Sequence, residues 1–228
     1  MWPYGEVTRP VARKREVQHM TSKAVWQNAG LRVFLLTLAV SLMMGGSVAL
    51  AAGPGDDIKS LINEVLAILH NPALQAPNQR SCKVDLVEKA AARHFNYREM
   101  AKRCLGDTWD TLNQGQQNEF VKNFSGLLKA SFACRLDELS KAGVTYQPEI
   151  LKPDHAEVPI VILRPNDKIP VSFRMLKEPQ GWMIYDLVIE GVSLADNYRG
   201  QFARIIKGGS FKDLLKVLQA RMAEECKP

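Results

Sequence analysis

GWMIYDLVIEGVSLADNYRGQF, residues 181–202, decides the fold, because a strand hands over to a helix within it without a linker. From Trp182 to Ile189 every residue but Asp186 is apolar or aromatic, with Val, Ile and Tyr prominent. Such side chains fit a pleated, half-buried surface. Gly191 breaks the run, and Ser193 with Asp196 three residues later has the pattern of a helix N-cap with an acidic first turn. Tyr198, Phe202, Ile205 and Ile206 then recur at helical spacing. A buried strand running straight into an amphipathic helix predicts a sheet with a helix folded across it, a layer able to enclose an apolar ligand.

Upstream, the residues predict three more strands, about 144–151, 156–164 and 169–177, joined by the turn sequences RPNDK (164–168) and EPQG (178–181). Turns this short force antiparallel neighbours. In the second of these strands Val158, Ile160 and Ile162 alternate with Pro159, Val161 and Leu163, so both faces are mostly apolar. Helices are expected before the sheet. Asp56 and Asp57 can cap one carrying Ile58, Leu61, Ile62, Val65, Leu66 and Leu69 up to Asn71-Pro72. Ser81 opens another to about His94, and a short one runs from Arg98 to Leu105 and stops at Gly106. Thr111 with Gln114 forms a capping-box pattern for a long helix to about Ser140. Beyond the sheet, helices are expected over about 193–207 and 211–225, divided by Gly208-Gly209 with Ser210 as the second cap. Helices, meander, helices is an α+β order: a curved antiparallel sheet of about four strands wrapped by N- and C-terminal helices.

No catalytic set assembles from the sequence. Gly191-Val192-Ser193-Leu194-Ala195 approximates a nucleophile elbow, but such a triad needs a later histidine and none follows His155. The helix-cap role explains Ser193 better. His70, His94 and His155 are far apart, without the spacing of a metal site, and Gly208-Gly209 is a helix break rather than a phosphate loop. Asp186 is the one carboxylate inside an apolar strand; it is expected to turn outward or to pair with an arginine such as Arg199. No catalytic residue, metal ligand or cofactor site is expected.

The first 51 residues read as a leader. Val33 to Ala52 is an uncharged apolar run ending in small residues, with Lys23 and Arg32 before it, which is the build of a cleavable secretory signal. An uncleaved membrane anchor is the rival reading of the same run, and Met20 would begin a signal of more ordinary length. The leader holds six of the 30 Lys and Arg and two of the 24 Asp and Glu, leaving a net charge of +2 on residues 52–228. That balance lacks the dense basic face of nucleic-acid binding. The remaining 177 residues suit a single domain with a real core. Cys82, Cys104, Cys134 and Cys226 could form up to two disulfides, with no pairing preferred.

YDLVIEGVSL (185–194), NYRGQF (197–202) and FNYREMAKRCLG (95–106) with Trp109 together resemble the MlaC family, the toluene-tolerance proteins, over roughly residues 57–222. Cys104, where a small Ala or Ser is expected, the four cysteines and the long leader depart from the family pattern. The resemblance implies a sheet wrapped by helices around an apolar cavity, and a periplasmic phospholipid shuttle with no cofactor beyond its lipid cargo. Implied partners are phospholipid, an inner-membrane ABC transporter complex with its substrate-binding membrane protein, and an outer-membrane lipoprotein complex. A carrier of another lipid such as a hopanoid, or an adaptor, is the alternative. Leaning on the resemblance, the pocket walls are expected to be Phe120, Phe124, Leu127, Leu128 and Phe132 on the long helix. Val161, Leu163, Phe173, Ile184 and Val188 are expected from the sheet, and Tyr198, Phe202 and Ile206 from the helix after it. Arg98 and Arg199 match arginines of the two motifs, where they would meet a lipid phosphate or fix helix ends against carboxylates.

Overall fold

The computed structural model describes residues 53–224; the leader, Met20 and Cys226 lie outside the described residues. Helix α1 (Pro54–His70) begins with proline in its first turn, where a missing N–H costs nothing. Asp56 and Asp57 are not its caps but lie in that first turn, toward the positive end of the helix dipole. The N–H of Gly55 donates instead to Glu149 Oε2 at 2.7 Å, tying the helix start to the sheet. Two short 3-10 turns, Pro72–Leu74 and Pro77–Gln79, lead into α2 (Arg80–Ala92). Helix α3 (Tyr97–Leu105) is capped by Asn96, whose side chain accepts from the Glu99 N–H at 2.8 Å. It ends at Gly106, whose φ of 54° suits glycine.

After the one-turn α4 (Thr108–Thr111), the long helix α5 (Gln114–Ala133) starts from a capping box formed by Asn113 and Gln116. The sequence pattern at Thr111 and Gln114 points two residues too early. The helix also stops short of Ser140: the chain bends at Cys134–Arg135, and a separate turn, α6 (Leu136–Leu139), follows.

The sheet is antiparallel throughout. Strands β1 (Gly143–Tyr146), β3 (His155–Arg164), β4 (Asp167–Glu178), β5 (Gly181–Ile189) and β6 (Val192–Ser193) lie in that spatial order, and β2 (Ile150–Leu151) pairs with the start of β3. Arg164 pairs with Asp167 across a two-residue turn, which places Val158 opposite Phe173 and Ile160 opposite Val171. Helix α7 (Leu194–Gly208) leaves directly from β6 and α8 (Phe211–Glu224) closes the chain. Both caps expected from sequence are present: Ser193 Oγ accepts from the Asp196 N–H at 3.1 Å, and Ser210 Oγ from that of Asp213 at 3.2 Å.

Two cores result. One is helical, with α3, α5, α7 and α8 meeting around the rings of Phe120, Phe124 and Phe202, all fully buried. Tyr198 and Phe211 close this aromatic set, with ring centroids 5.2–6.2 Å apart, the spacing at which rings attract beyond simple burial. The other core packs Ile58 and Leu61 of α1 on one face of the sheet, against Val158, Ile160, Met175, Ile184 and Leu187. The described chain is thus α+β, an antiparallel sheet flanked by helices. Cys134 is disulfide-bonded, while Cys82 and Cys104 are free thiols.

Candidate functional site

Where the two cores meet, they do not fill the space between them. An apolar cavity of about 1370 Å³, counting its open mouth, lies between the sheet face, α1, α2 and the end of α5. The sheet contributes Ile160, Ile162, Val171, Phe173, Leu187 and Ile189. Helix α1 contributes Leu61, Ile62, Val65, Leu66 and Leu69 at helical spacing. Val84, Val87 and Ala91 of α2 form the opposite wall, and Phe95, Tyr97 and Met100 the floor toward α3. Leu128, Phe132 and Ala133 of α5 with Leu136 and Leu139 complete it. The bend at Cys134–Arg135 is what lets α6 turn its two leucines onto this wall.

Among the described residues, two charged side chains line the cavity, Glu88 and Lys129. Lys129 Nζ reaches from α5 to Asp85 Oδ1 and Glu88 Oε2 on α2, each at 2.9 Å. Those two carboxylates raise the Lys129 pKa, Glu88 foremost, and so hold the ammonium charged. Phe132, 37% exposed, sits on the same rim. Phe132, Glu88 and Lys129 thus form an exposed edge of the cavity, between α2 and the C-terminal half of α5. Burial pushes the phenol of Tyr97 up to about 12, so it stays neutral on the cavity wall.

Of the thirteen side chains expected from sequence on the wall, Leu128, Phe132 and Phe173 line the cavity. Phe120, Phe124, Leu127, Tyr198, Phe202 and Ile206 lie elsewhere, in or against the packed helical core. Val161, Leu163 and Val188 project from the other face of the sheet, and Ile184 is buried in the sheet core without reaching the cavity. The physical reason is register. With a two-residue turn between β3 and β4, Phe173 shares its face with Val158, Ile160 and Ile162, not with Val161 and Leu163.

The β5 positions follow from a bulge. Asp186 pairs with Arg174 but Ile184 with Met175, so Tyr185 is an extra residue on β5. Without it, Asp186 would share the inner face with Ile184. With it, Asp186 turns to the other face, where Oδ1 accepts from the Ala195 N–H at 2.9 Å and Oδ2 from Ser193 Oγ at 2.7 Å. Its arginine partner is Arg174, at 3.3 Å, rather than Arg199. Arg199 instead lines a polar cleft on that outer face with Lys102, Arg103 and Asp196. Arg98 lies over the Trp109 ring at 5.0 Å and donates to Asn118 Oδ1 and Gln117 Oε1, joining α3 to α5. Neither arginine reaches the apolar cavity. Among the described residues no group of His, Cys, Asp and Glu is placed to hold a metal ion, and no helix is long and apolar enough to cross a membrane.

Fold and cavity define an α+β protein built around one apolar chamber with a charged rim. The chain belongs to the MlaC family: the family model described as MlaC protein matches residues 59–220. A solved structure of the phospholipid-binding protein from Ralstonia solanacearum, in complex with a phospholipid, is similar at 25% identity and a TM-score of 0.69. The match covers 77% of this chain and 100% of that one. Among curated proteins none matches.

Proposed function

We propose that the protein is a periplasmic phospholipid-binding shuttle, exported by cleavage of its first 51 residues, that carries lipid between membrane complexes of an ABC-type transport system. The observation that carries this reading is the cavity. Each methylene withdrawn from water is worth about 0.8 kcal/mol, so two tails of about 15 methylenes represent on the order of 25 kcal/mol of gross transfer. A carrier must therefore enclose most of both tails. Taking a methylene as about the size of a water molecule's share of the liquid, ~30 Å³, the pair needs on the order of 900 Å³. The chamber's volume of about 1370 Å³ counts open solvent at its mouth and so bounds the room for these tails from above; what matches them is the almost wholly apolar lining. The phospholipid held by the Ralstonia protein supports the same ligand class. The rim leaves the headgroup in water. Transport energy would come from a partner ATPase, because no phosphate-cradling motif is present in the sequence.

The test is native mass spectrometry of the protein expressed from its full-length sequence and purified without detergent, with lipid extraction from the same sample. A discrete added mass equal to a diacyl phospholipid supports the reading. A protein that stays lipid-free, and takes up none from added liposomes, overturns it in favour of an adaptor; a hopanoid mass would change the cargo.

A further inference from the structure

The rim of the cavity carries unequal charge. One ammonium, Lys129, faces two carboxylates, Glu88 on the lining and Asp85 beside it, and the other described residues of the lining are uncharged. All three are partly exposed, at 34, 67 and 44% of their side chains, so a headgroup standing at the mouth can reach them from solvent. A headgroup standing at this exposed edge of the cavity meets these three side chains. The walls below them are apolar, and the exposed Phe132 lies on the same edge.

Resting on the phospholipid reading above, we infer that this rim selects the headgroup, favouring zwitterionic lipids that end in a primary ammonium over lipids whose headgroup carries only the phosphate charge. The phosphate of either lipid can take a hydrogen bond from Lys129 Nζ. Only an ammonium-ended headgroup then returns a positive charge and N–H donors to the carboxylates from which Lys129 is drawn away. A glycerol-ended headgroup leaves Asp85 and Glu88 without their cation and adds a third negative charge beside them. The trio thus acts as a matched exchange for one headgroup and a net repulsive rim for the other. An exposed ion pair contributes up to about 1 kcal/mol, so the preference is at most about fivefold rather than absolute.

The test uses the delipidated protein incubated with vesicles of equal phosphatidylethanolamine and phosphatidylglycerol, followed by extraction and quantitation of total bound lipid and of the headgroup ratio. The expected result is ethanolamine lipid enriched, by at most about fivefold. Asp85→Asn with Glu88→Gln should bring the ratio to one or below with total loading kept. Lys129→Gln should lower total loading and raise the ethanolamine share, since it leaves the rim more negative. Comparing variants on the same vesicles removes the effect of vesicle charge on encounter. An unbiased ratio in the unmodified protein, or a bias unmoved by the double substitution, overturns the inference while leaving the carrier reading intact. No bound lipid of either kind overturns both.

Discussion

Ser193 gives its hydroxyl proton to Asp186 at 2.7 Å while its oxygen caps α7, so one side chain joins the last long strand to the helix that follows it. Asp186 is 2% exposed and receives two further donors, the Ala195 N–H and Arg174. Asp186→Ala strands these donors beside a buried void and should cost about 3 kcal/mol. Ser193→Ala removes the cap and one acceptor's donor, for about 1 kcal/mol. Urea unfolding followed by circular dichroism measures both. Equal, negligible losses would mean the junction is held by packing alone.

Core and cavity wall should respond oppositely to substitution. Phe124→Ala empties a fully buried site among other rings and should cost about 3–5 kcal/mol, with lipid per folded molecule little changed. Ala133→Trp projects bulk into space that is already empty, so overpacking is small and stability should move by less than about 1.5 kcal/mol. Its lipid loading should fall severalfold. Thermal unfolding read beside lipid extraction separates the two, and a Phe124→Ala protein that is stable but lipid-free would reverse the placement of the binding space.

The sheet and the two last helices are legible in the chain because their signals are local: turns of two residues, period-two alternation, and Ser193 and Ser210 each with an aspartate three residues on. Which residues face the cavity is set by less local facts. The face of β3 could be derived, since the two-residue turn fixes Val158 opposite Phe173 and so carries Ile160 and Ile162 inward. The bulge at Tyr185 could not, because nothing in WMIYDLVI marks the extra residue; it is detectable only through Asp186, whose charge is intolerable on an apolar wall. The aromatic stripe of α5 misleads for another reason. Its rings at Phe120 and Phe124 pack solidly in the helical core and Phe132 alone of its rings reaches the cavity, much of whose wall is instead the smaller aliphatic side chains of α1 and α2, which read from sequence as ordinary core.

The two free thiols should differ sharply in reactivity. Burial, reinforced by the negative charges of Asp186 and Asp196, pushes the Cys104 thiol far up, so almost none is thiolate at pH 8. Cys82 is exposed on the first turn of α2. Iodoacetamide on the native protein should label Cys82 and spare Cys104, and both should label in guanidinium; peptide mapping gives the site. Native labelling of Cys104 at a comparable rate would show that the helical core opens readily.

Helix α2 should be the most readily opened helix of the described chain. Only Lys83 and Ala90 of its thirteen residues are buried, and Val84, Val87 and Ala91 face the cavity instead of packing on a core. It is held by ion pairs: Lys129 to Asp85 and Glu88, Arg80 and Lys83 to Asp137, and Arg93 at its end to Glu64. Arg80 holds the Asp137 carboxyl below its usual range. That clamp is therefore complete above the ordinary aspartate value of about 3.9 and is lost only as pH falls through the lowered one. Salt, not neutral pH, is what loosens it, because these pairs are largely exposed and a Debye length of about 10 Å at 0.1 M shrinks to about 3 Å at 1 M. Amide exchange should therefore be faster across Arg80–Ala92 than across Gln114–Ala133, should quicken between 0.1 and 1 M salt, and should slow when lipid fills the wall beneath. Protection in α2 equal to that of α5 and indifferent to salt would show that the helix is a fixed wall, and that lipid must enter by another route.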